Sequence, residues 1–170
     1  MTHLFLTGDK QVGKSTIIRR LLEGERRLIG GFFTVKTDGV WPGRSSVHLL
    51  RAGTREVPSP QNWLFFCDRV CGETALSRFN LLGCAALAER PKAELVLMDE
   101  LGPMEARAER FQEAVFQILN GDVPVLGVLQ RADSEFLDRV RRHEKVEVIQ
   151  VTLENRDRLL RELLQRQMDG

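Results

Sequence analysis

Short apolar stretches alternate with amphipathic stretches along most of this chain. The apolar stretches predict buried strands at residues 3–7, 95–98, 123–129 and 146–151. Apolar residues at helical spacing predict helices at residues 14–23, 77–89, 105–119, 134–140 and 154–167. This alternation predicts an α/β fold in which a mostly parallel sheet carries helices on both faces.

Residues 30–58 interrupt this alternation. Aromatic and β-branched side chains favour strands at residues 28–37 and 46–51. Turn signals at Asp38-Gly39 and at Trp41-Pro42-Gly43 lie between these two stretches. The region is therefore predicted to insert antiparallel hairpins into the parallel sheet.

The rest of the chain offers no division into separate parts. Residues 63–66 suit either a strand or a buried loop, and both possibilities stay open. We find no internal repeat and no linker long enough to separate two domains. Residues 1–170 are therefore predicted to form a single domain, which is long enough for a substantial core.

A glycine-rich loop joins the first predicted strand to the first predicted helix. It reads Gly-x4-Gly-Lys-Ser, which is the pattern of a phosphate-binding loop in the context that the pattern requires. Glycines allow positive φ angles, so several N–H groups can point toward one anion beside the positive end of a helix. The predicted nucleotide-binding residues are Gly8, Asp9, Lys10, Gln11, Val12, Gly13, Lys14, Ser15 and Thr16.

Two side chains at the end of this loop have specific chemistry. Lys14 can reach the β- and γ-phosphates as a point charge, and we predict a catalytic role for it. Ser15 can offer its hydroxyl to a Mg²⁺ ion that bridges the same phosphates. The sequence thus predicts that the chain binds a nucleoside triphosphate, such as ATP or GTP, with Mg²⁺ as cofactor.

Asp99 and Glu100 directly follow the apolar run at residues 95–98. A phosphate-binding loop needs an acidic residue at the end of a neighbouring strand to support the metal, and Asp99 is the candidate. A carboxylate beside it is well placed to accept a proton from an attacking water, so Glu100 is the predicted base. Glu105 is expected to start the next helix as an acid that matches its dipole.

Composition and charge narrow the possible partners. The formal net charge of +1 gives no global basic field for nucleic acid. Cys67, Cys71 and Cys84 have no paired spacing, which disfavours disulfides and zinc and suits a reducing, cytoplasmic compartment. No apolar run approaches the length of a bilayer span, so no membrane partner is expected, and any protein partner stays unknown.

Several segments occur in an order seen in a known family. They are residues 8–15, Gly31-Phe32-Phe33-Thr34, residues 98–105 and Leu153-Glu154-Asn155-Arg156-Asp157. Over nearly its whole length, the chain resembles the small P-loop nucleoside-triphosphatases of archaea and thermophilic bacteria, whose human member is called cancer-related nucleoside-triphosphatase. The Asp-Glu-x-Gly-x-Met-Glu and Glu-Asn-Arg-Asp stretches are the most distinctive marks.

This resemblance implies a three-layer P-loop NTPase fold and slow Mg²⁺-dependent hydrolysis of several nucleoside triphosphates to diphosphates and phosphate. It also implies loose base selectivity, with Asn155 and Arg156 contacting the nucleotide base or forming a closing lid. The sequence departs from similar proteins at Val35-Lys36-Thr37-Asp38, where Glu and Arg are usual, and at residues 67–80. These departures bear on substrate preference and turnover more than on phosphate binding.

Arg131 follows the strand predicted at residues 123–129, at the sheet edge where the carboxyl ends of strands face ligand. It can contact the γ-phosphate as an internal arginine finger, or it can be a solvated loop residue. We include it, with Lys14 and Glu100, among the predicted catalytic residues.

Two other functions would use the same loop. A nucleoside or nucleotide kinase needs an acceptor site that excludes water, and Arg139, Arg141 and Arg142 are candidates for its basic lid. A nucleotide-sensing switch with little turnover would use the hairpins at 30–58 to recruit a partner. Acceptor-dependent transfer would indicate the kinase, and negligible turnover with different affinities for diphosphate and triphosphate would indicate the switch.

Overall fold

The computed structural model contains one seven-stranded sheet and describes residues 3–68, 72–88 and 92–169. Cys71 and Glu89, which entered the sequence predictions, lie outside the described residues. The strands are β1 (His3–Thr7), β2 (Ile29–Trp41), β3 (Arg44–Arg51), β4 (Trp63–Phe66), β5 (Leu95–Leu101), β6 (Val125–Leu129) and β7 (Val146–Gln150). Their order across the sheet is β4-β3-β2-β5-β6-β1-β7.

Helices connect most of these strands. The α-helices are α1 (Lys14–Glu23), α2 (Glu73–Arg78), α3 (Cys84–Ala88), α4 (Glu109–Asn120), α5 (Glu135–Arg141) and α6 (Arg156–Asp169). A π-helical turn lies at Phe79–Gly83 and a 3₁₀ helix at Pro103–Arg107. In the part of the chain that the structure describes, no helix is both long and apolar enough to cross a membrane.

The sheet is mostly parallel, as the sequence predicts. β2, β5, β6, β1 and β7 are parallel neighbours, and β6 pairs with both β5 and β1. β3 pairs antiparallel with β2 and with β4, so the predicted hairpin insertion is confirmed and residues 63–66 form a strand. The parallel strands present their carboxyl ends at one edge of the sheet, which is where ligands bind in such folds.

Two hydrophobic cores cover the two faces of the sheet. One core packs strand residues against α3, α4 and α5, and the other packs the opposite strand face against α1 and α6. Phe5 belongs to the first core and its neighbour Leu6 to the second, because successive strand residues point to opposite faces. The outcome is the expected three-layer arrangement of helices, sheet and helices.

His3 has a structural role at the start of β1. Its ring is fully buried, Nδ1 accepts a hydrogen bond from the Val125 N–H (3.2 Å), and Nε2 therefore donates to the Leu119 carbonyl (2.9 Å). Burial lowers the pKa of the imidazole, so the neutral form is favoured. The ring thus connects β1 to β6 and to the end of α4.

The first hairpin differs from its prediction. β2 continues to Trp41 instead of ending at residue 37, and the chain turns at Pro42-Gly43, where Gly43 has a φ of 69°. The turn predicted at Asp38-Gly39 is wrong, because the pairing of β2 with β3 only shifts register there. The Gly39 N–H donates to Thr37 Oγ1, so Asp38 and Gly39 form a local bend inside β2 instead of ending the strand.

The single helix predicted at residues 105–119 is also wrong. The 3₁₀ helix ends at Arg107 and α4 starts at Glu109. Ala108 lies between them, fully buried and with non-helical backbone angles of φ −90° and ψ 76°. Hydrophobic periodicity misses such a break, because one extended residue changes the direction of the chain and leaves the apolar spacing on either side intact.

We expect Gly31→Ala to lower the free energy of unfolding by at least about 2 kcal/mol. Gly31 has a φ of 89°, and a Cβ there would lie 2.0 Å from the Leu97 carbonyl oxygen of β5. Chemical denaturation of wild type and variant measures the difference. The control is Gly24→Ala, because Gly24 has a φ of −92° and no atom within 4 Å of an added Cβ. Equal stability of the two variants would contradict this close approach of β2 to β5.

Candidate active site

A cleft of about 480 Å³ opens at the carboxyl edge of the sheet. β6 lies between β1 and β5, so the segments that follow these three strands meet there. The cleft is lined by Gly8, Asp9, Lys10, Gln11, Gly13, Lys14, Ser15, Thr16, Glu100, Val128, Gln130 and Arg131. The structure therefore brings most of the predicted loop together with Glu100 and Arg131, while Val12 is buried in the core beneath the loop.

Positive φ angles shape the backbone of the loop. Gly8 (146°), Gln11 (62°) and Gly13 (109°) all have them, and α1 begins directly after Gly13. A Cβ at Gly8 would lie 2.4 Å from the Val151 carbonyl oxygen, so the loop packs against the segment that follows β7. Such a curved backbone at a helix start forms a concave site that suits an anion.

Lys14 lies under the loop in a largely buried position, with a residue exposure of 9%. Its Nζ donates hydrogen bonds to the carbonyl oxygens of Gly8 (2.8 Å) and Asp9 (2.7 Å). The Lys14 side chain thus reaches from the end of the loop back to its first residues. These two contacts occupy two of the three donors of the ammonium group, and they hold the loop in its curved form.

Asp99 and Glu100 lie near the end of β5, on the other side of β6 from the loop. Glu100 lines the cleft, whereas Asp99 does not. Burial and the neighbouring Glu100 carboxylate raise the pKa of Asp99 to about 6, and the positive charge of Lys14 opposes them. The influence of Lys14 on Asp99 indicates that the two motifs share one electrostatic environment.

Ser15 and Asp99 offer oxygen donors of the kind that Mg²⁺ prefers. Ser15, which carries a hydroxyl, lines the cleft, and Asp99 has a carboxylate whose raised pKa a nearby cation would lower again. No cluster of three His, Cys, Asp or Glu residues able to hold a metal exists among the described residues. Mg²⁺ in phosphate sites takes one or two protein ligands with waters and phosphate oxygens, so this sparse set is sufficient.

Arg131 forms an ion pair with the loop. Its Nη1 lies 2.8 Å from Asp9 Oδ1, and the two side chains are 55% and 75% exposed. An exposed pair of this kind contributes little to stability. The ion pair does, however, hold the Arg131 guanidinium group beside the first residues of the phosphate loop.

Arg156 lies beside the loop, and neither Asn155 nor Arg156 lines the cleft. The side-chain amide of Asn155 is engaged at both ends, since Oδ1 accepts from the Thr152 N–H (2.8 Å) and Nδ2 donates to the Gln150 carbonyl (2.8 Å). A Cβ at Gly13 would lie 3.4 Å from Arg156 Cδ, so Arg156 packs against the loop. Nucleotide contact by either residue stays a prediction.

Val128 and Gln130 line the cleft although the sequence predictions omitted them. A usable signal was present, because both residues lie at the carboxyl end of the apolar run that became β6. The same position had singled out Arg131. Gln130 carries no charge, so the sequence pattern gives no reason to connect it with phosphate chemistry.

Comparison with known proteins decides the family. The family model described as NTPase matches residues 3–164. The chain belongs to the NTPase family. The resemblance inferred from the sequence is thereby confirmed.

The relatives of this NTPase match it along nearly their whole length. Nucleoside-triphosphatase THEP1 of Methanocaldococcus jannaschii is 29% identical, over 98% of each chain, and that of Methanosarcina barkeri is 30% identical, over 94% of this chain and 93% of its own. The crystal structure of THEP1 from Aquifex aeolicus matches with a TM-score of 0.72 and 22% identity, over 96% of each chain. The solution structure of a human cancer-related nucleoside triphosphatase matches with a TM-score of 0.67 and 25% identity, over 100% of this chain and 99% of its own. These likenesses confirm the predicted fold class.

The NTPase also buries an acid next to its cleft. Glu105 is 4% exposed, and its Oε2 accepts a hydrogen bond from the Gly102 N–H at 2.9 Å. Burial raises the pKa of Glu105 to about 8, although that hydrogen bond acts in the opposite direction. Glu105 is the third residue of the 3₁₀ helix and not the first residue of the helix expected at 105–119, and its hydrogen bond fixes the backbone two residues after Glu100.

We expect Glu105→Gln to remove a pH dependence of stability. The folded-state pKa is raised, so the contribution of Glu105 is fully present below its unfolded value of 4.5 and is lost as the pH rises through about 8. Across this window the wild type should lose at most about 1.4 kcal/mol per pH unit relative to the variant, whose amide stays neutral and can still accept the Gly102 N–H. Urea unfolding at a series of pH values measures the free energies, and parallel profiles would contradict the assignment.

Proposed function

We propose that this NTPase hydrolyses nucleoside triphosphates to diphosphates and phosphate, with Mg²⁺ as cofactor and loose selectivity for the base. One observation carries the proposal: Lys14, Ser15 and Glu100 line a single cleft, although they come from distant parts of the chain. The name nucleoside-triphosphatase, which the relatives bear, supports the same reaction.

The loop and Lys14 bind the phosphates in this proposal. The ammonium group of Lys14 is already held between the carbonyl oxygens of Gly8 and Asp9. Phosphate oxygens are charged acceptors, and hydrogen bonds between charged partners are about twice as strong as those between neutral ones. Lys14 therefore exchanges its carbonyl partners for the β- and γ-phosphates when a triphosphate enters, while α1 directs its positive end toward them.

Ser15 and Asp99 hold the magnesium ion in this proposal. Ser15 contributes its hydroxyl from the start of α1, and Asp99 contributes a carboxylate from β5. When bound, Mg²⁺ neutralises charge that develops on the β- and γ-phosphate oxygens. Lys14 adds to this from the loop side, so positive charge surrounds the phosphates from two directions.

Glu100 acts on the attacking water. Its carboxylate accepts a proton as the water oxygen bonds to the γ-phosphorus, and the bond from that phosphorus to the bridging oxygen breaks. Diphosphate leaves with the electron pair of the broken bond. Arg131 exchanges its Asp9 partner for a γ-phosphate oxygen and stabilises the charge there.

Loose base selectivity agrees with the connection between β7 and α6. Both ends of the Asn155 amide bond to backbone within this connection, so the amide is not free to turn toward a base edge. Arg156 packs its aliphatic part against the loop, and a guanidinium can stack on any base. ATP, GTP and other triphosphates are therefore all candidate substrates.

We also expect the enzyme to act in the reducing cytoplasm, because its cysteines have no paired spacing.

The kinase alternative has less support around the cleft. Arg141 is committed to the carbonyl oxygens of Gln130 and Ala132 and to Asp138. The guanidinium of Arg139 lies over the Phe116 ring, 4.3 Å from its centroid. These basic side chains therefore stabilise the local fold instead of forming a lid for an acceptor.

Glu100→Gln should lower kcat by roughly 100-fold or more and spare nucleotide affinity, because only the proton acceptor is lost. Phosphate release measures the first effect, and titration with a fluorescent nucleotide measures the second. Glu113→Gln, on the exposed face of α4, is the matched control. Full turnover by purified Glu100→Gln protein would remove Glu100 from this role.

Lys14→Ala should abolish phosphate release, because the phosphates lose the point charge of the Lys14 ammonium group.

Phosphate release should not depend on an acceptor. Incubation with triphosphate alone, and then with candidate nucleosides and nucleotides, separates hydrolysis from transfer by the products formed. Strong acceptor-dependent transfer with little free phosphate would replace our proposal with the kinase. Negligible turnover with different affinities for diphosphate and triphosphate would replace it with the nucleotide-sensing switch.

A further inference from the structure

Gln130 lines the cleft together with Lys14 and Glu100, yet the mechanism above gives it no part. We propose that the Gln130 carboxamide is a catalytic group that orients the attacking water against the γ-phosphate. The inference rests on the proposed hydrolysis and adds a residue to it. It is carried by the position of Gln130, by its anchored backbone and by the contacts of its side chain.

The pairing of β6 determines where Gln130 lies. β6 pairs on one side with β1, which leads into the phosphate loop, and on the other with β5, which carries Asp99 and Glu100. Gln130 is the first residue after β6. Its backbone therefore starts between the residues proposed to bind the phosphates and the residue proposed to accept the proton, which is the interval that an in-line water must occupy.

The backbone of Gln130 is anchored on both sides. Its N–H donates to the Leu101 carbonyl at 2.9 Å, which ties it to the end of β5. Its carbonyl accepts a hydrogen bond from Arg141 Nη2 at 2.8 Å. Arg141 is itself held by Asp138 and by the Ala132 carbonyl. An anchored backbone is what a side chain needs to act with fixed geometry.

The side chain of Gln130 lies against Gly102 and is free to bind a ligand. A Cβ at Gly102 would lie 2.9 Å from Gln130 Cδ, 3.0 Å from Nε2 and 3.1 Å from Oε1, so the carboxamide occupies the space that a glycine leaves open. Within the described residues, the carboxamide has no hydrogen-bond partner, while its backbone groups have theirs. The Gly102 N–H is held by buried Glu105, which keeps this contact surface in place.

A carboxamide suits this task because it both accepts and donates. In our proposal Oε1 accepts one O–H of the water, and Nε2 donates to a γ-phosphate oxygen. The second proton of the water passes to Glu100 as the oxygen bonds to phosphorus, and diphosphate leaves with the electron pair. Gln130 neither gains nor loses a proton, so it fixes the direction of attack without competing with the base.

Gln130→Ala should lower kcat roughly 100-fold with little change in KM, because the lost contacts form mainly in the transition state. A second readout is binding of nucleoside diphosphate with aluminium fluoride, which mimics the transferring phosphoryl group. The variant should lose affinity for this complex and keep its affinity for diphosphate alone. Gln117→Ala, on the exposed side of α4, is the control and should change neither quantity.

Gly102→Ala tests the same contact without touching Gln130. Gly102 has an extended backbone (φ −133°, ψ −179°) that any residue can adopt, and the three atoms nearest to the added methyl group all belong to the movable end of Gln130. This variant should keep its thermal stability and lose kcat. In a Gln130→Ala background, Gly102→Ala should cause no further loss, because the displaced group is already gone.

These outcomes separate the inference from the function on which it rests. Absence of hydrolysis by the wild type would remove the proposed function itself. Hydrolysis by the wild type together with wild-type kcat in Gln130→Ala would overturn the role of Gln130 alone. Equal losses of affinity for diphosphate and for the aluminium fluoride complex would also overturn it, since they would indicate a structural effect.

Discussion

The pairing of β6 with both β1 and β5 is the constraint on which the rest of this structure depends. Because all three strands are parallel, the phosphate loop after β1, the acids at the end of β5 and the residues after β6 lie at one edge of the sheet. β6 can lie between β1 and β5 because Gly127 has no side chain. A Cβ there would lie 2.4 Å from the Phe5 ring and 2.9 Å from the Met98 carbonyl oxygen, so the glycine lets a core aromatic lie across β6.

Two buried acids near the cleft, Asp99 and Glu105, have electrostatic surroundings that disfavour their charged forms. Asp99 and Glu105 both have raised pKa values, because burial disfavours their charged forms. The two serve different purposes. Asp99 shares its surroundings with Lys14, whose positive charge opposes the rise of its pKa, whereas Glu105 has the Gly102 N–H as its partner and supports the backbone between Glu100 and the 3₁₀ helix. Perturbed acids beside a phosphate loop are typical of a functional site.

The regular parts of the fold and the core of the site were predictable, and the exceptions have local physical reasons. Periodicity and the loop pattern located β1, α1 and β5 because each depends on short-range features of the chain. The turn near Asp38-Gly39 was predicted wrongly because β3 pairs along β2 and absorbs those residues in a register shift. The break at Ala108 escaped prediction because apolar spacing does not report a single extended residue. Gln130 was missed because its importance comes from its neighbours, and a neutral side chain gives no charge pattern.

By itself, the sequence determined the chemistry of the phosphate loop, the acidic pair Asp99-Glu100 and the alternation that leads to a parallel sheet. These follow from the order of residues, since φ preferences, charge and hydrophobic spacing act over a few positions. Only the tertiary structure decided that β6 separates the loop from the acids, that Lys14 is held by Gly8 and Asp9, and that Gln130 lies on Gly102. Such facts depend on which strands pair and how closely they approach, and those properties arise from packing among residues far apart in the chain.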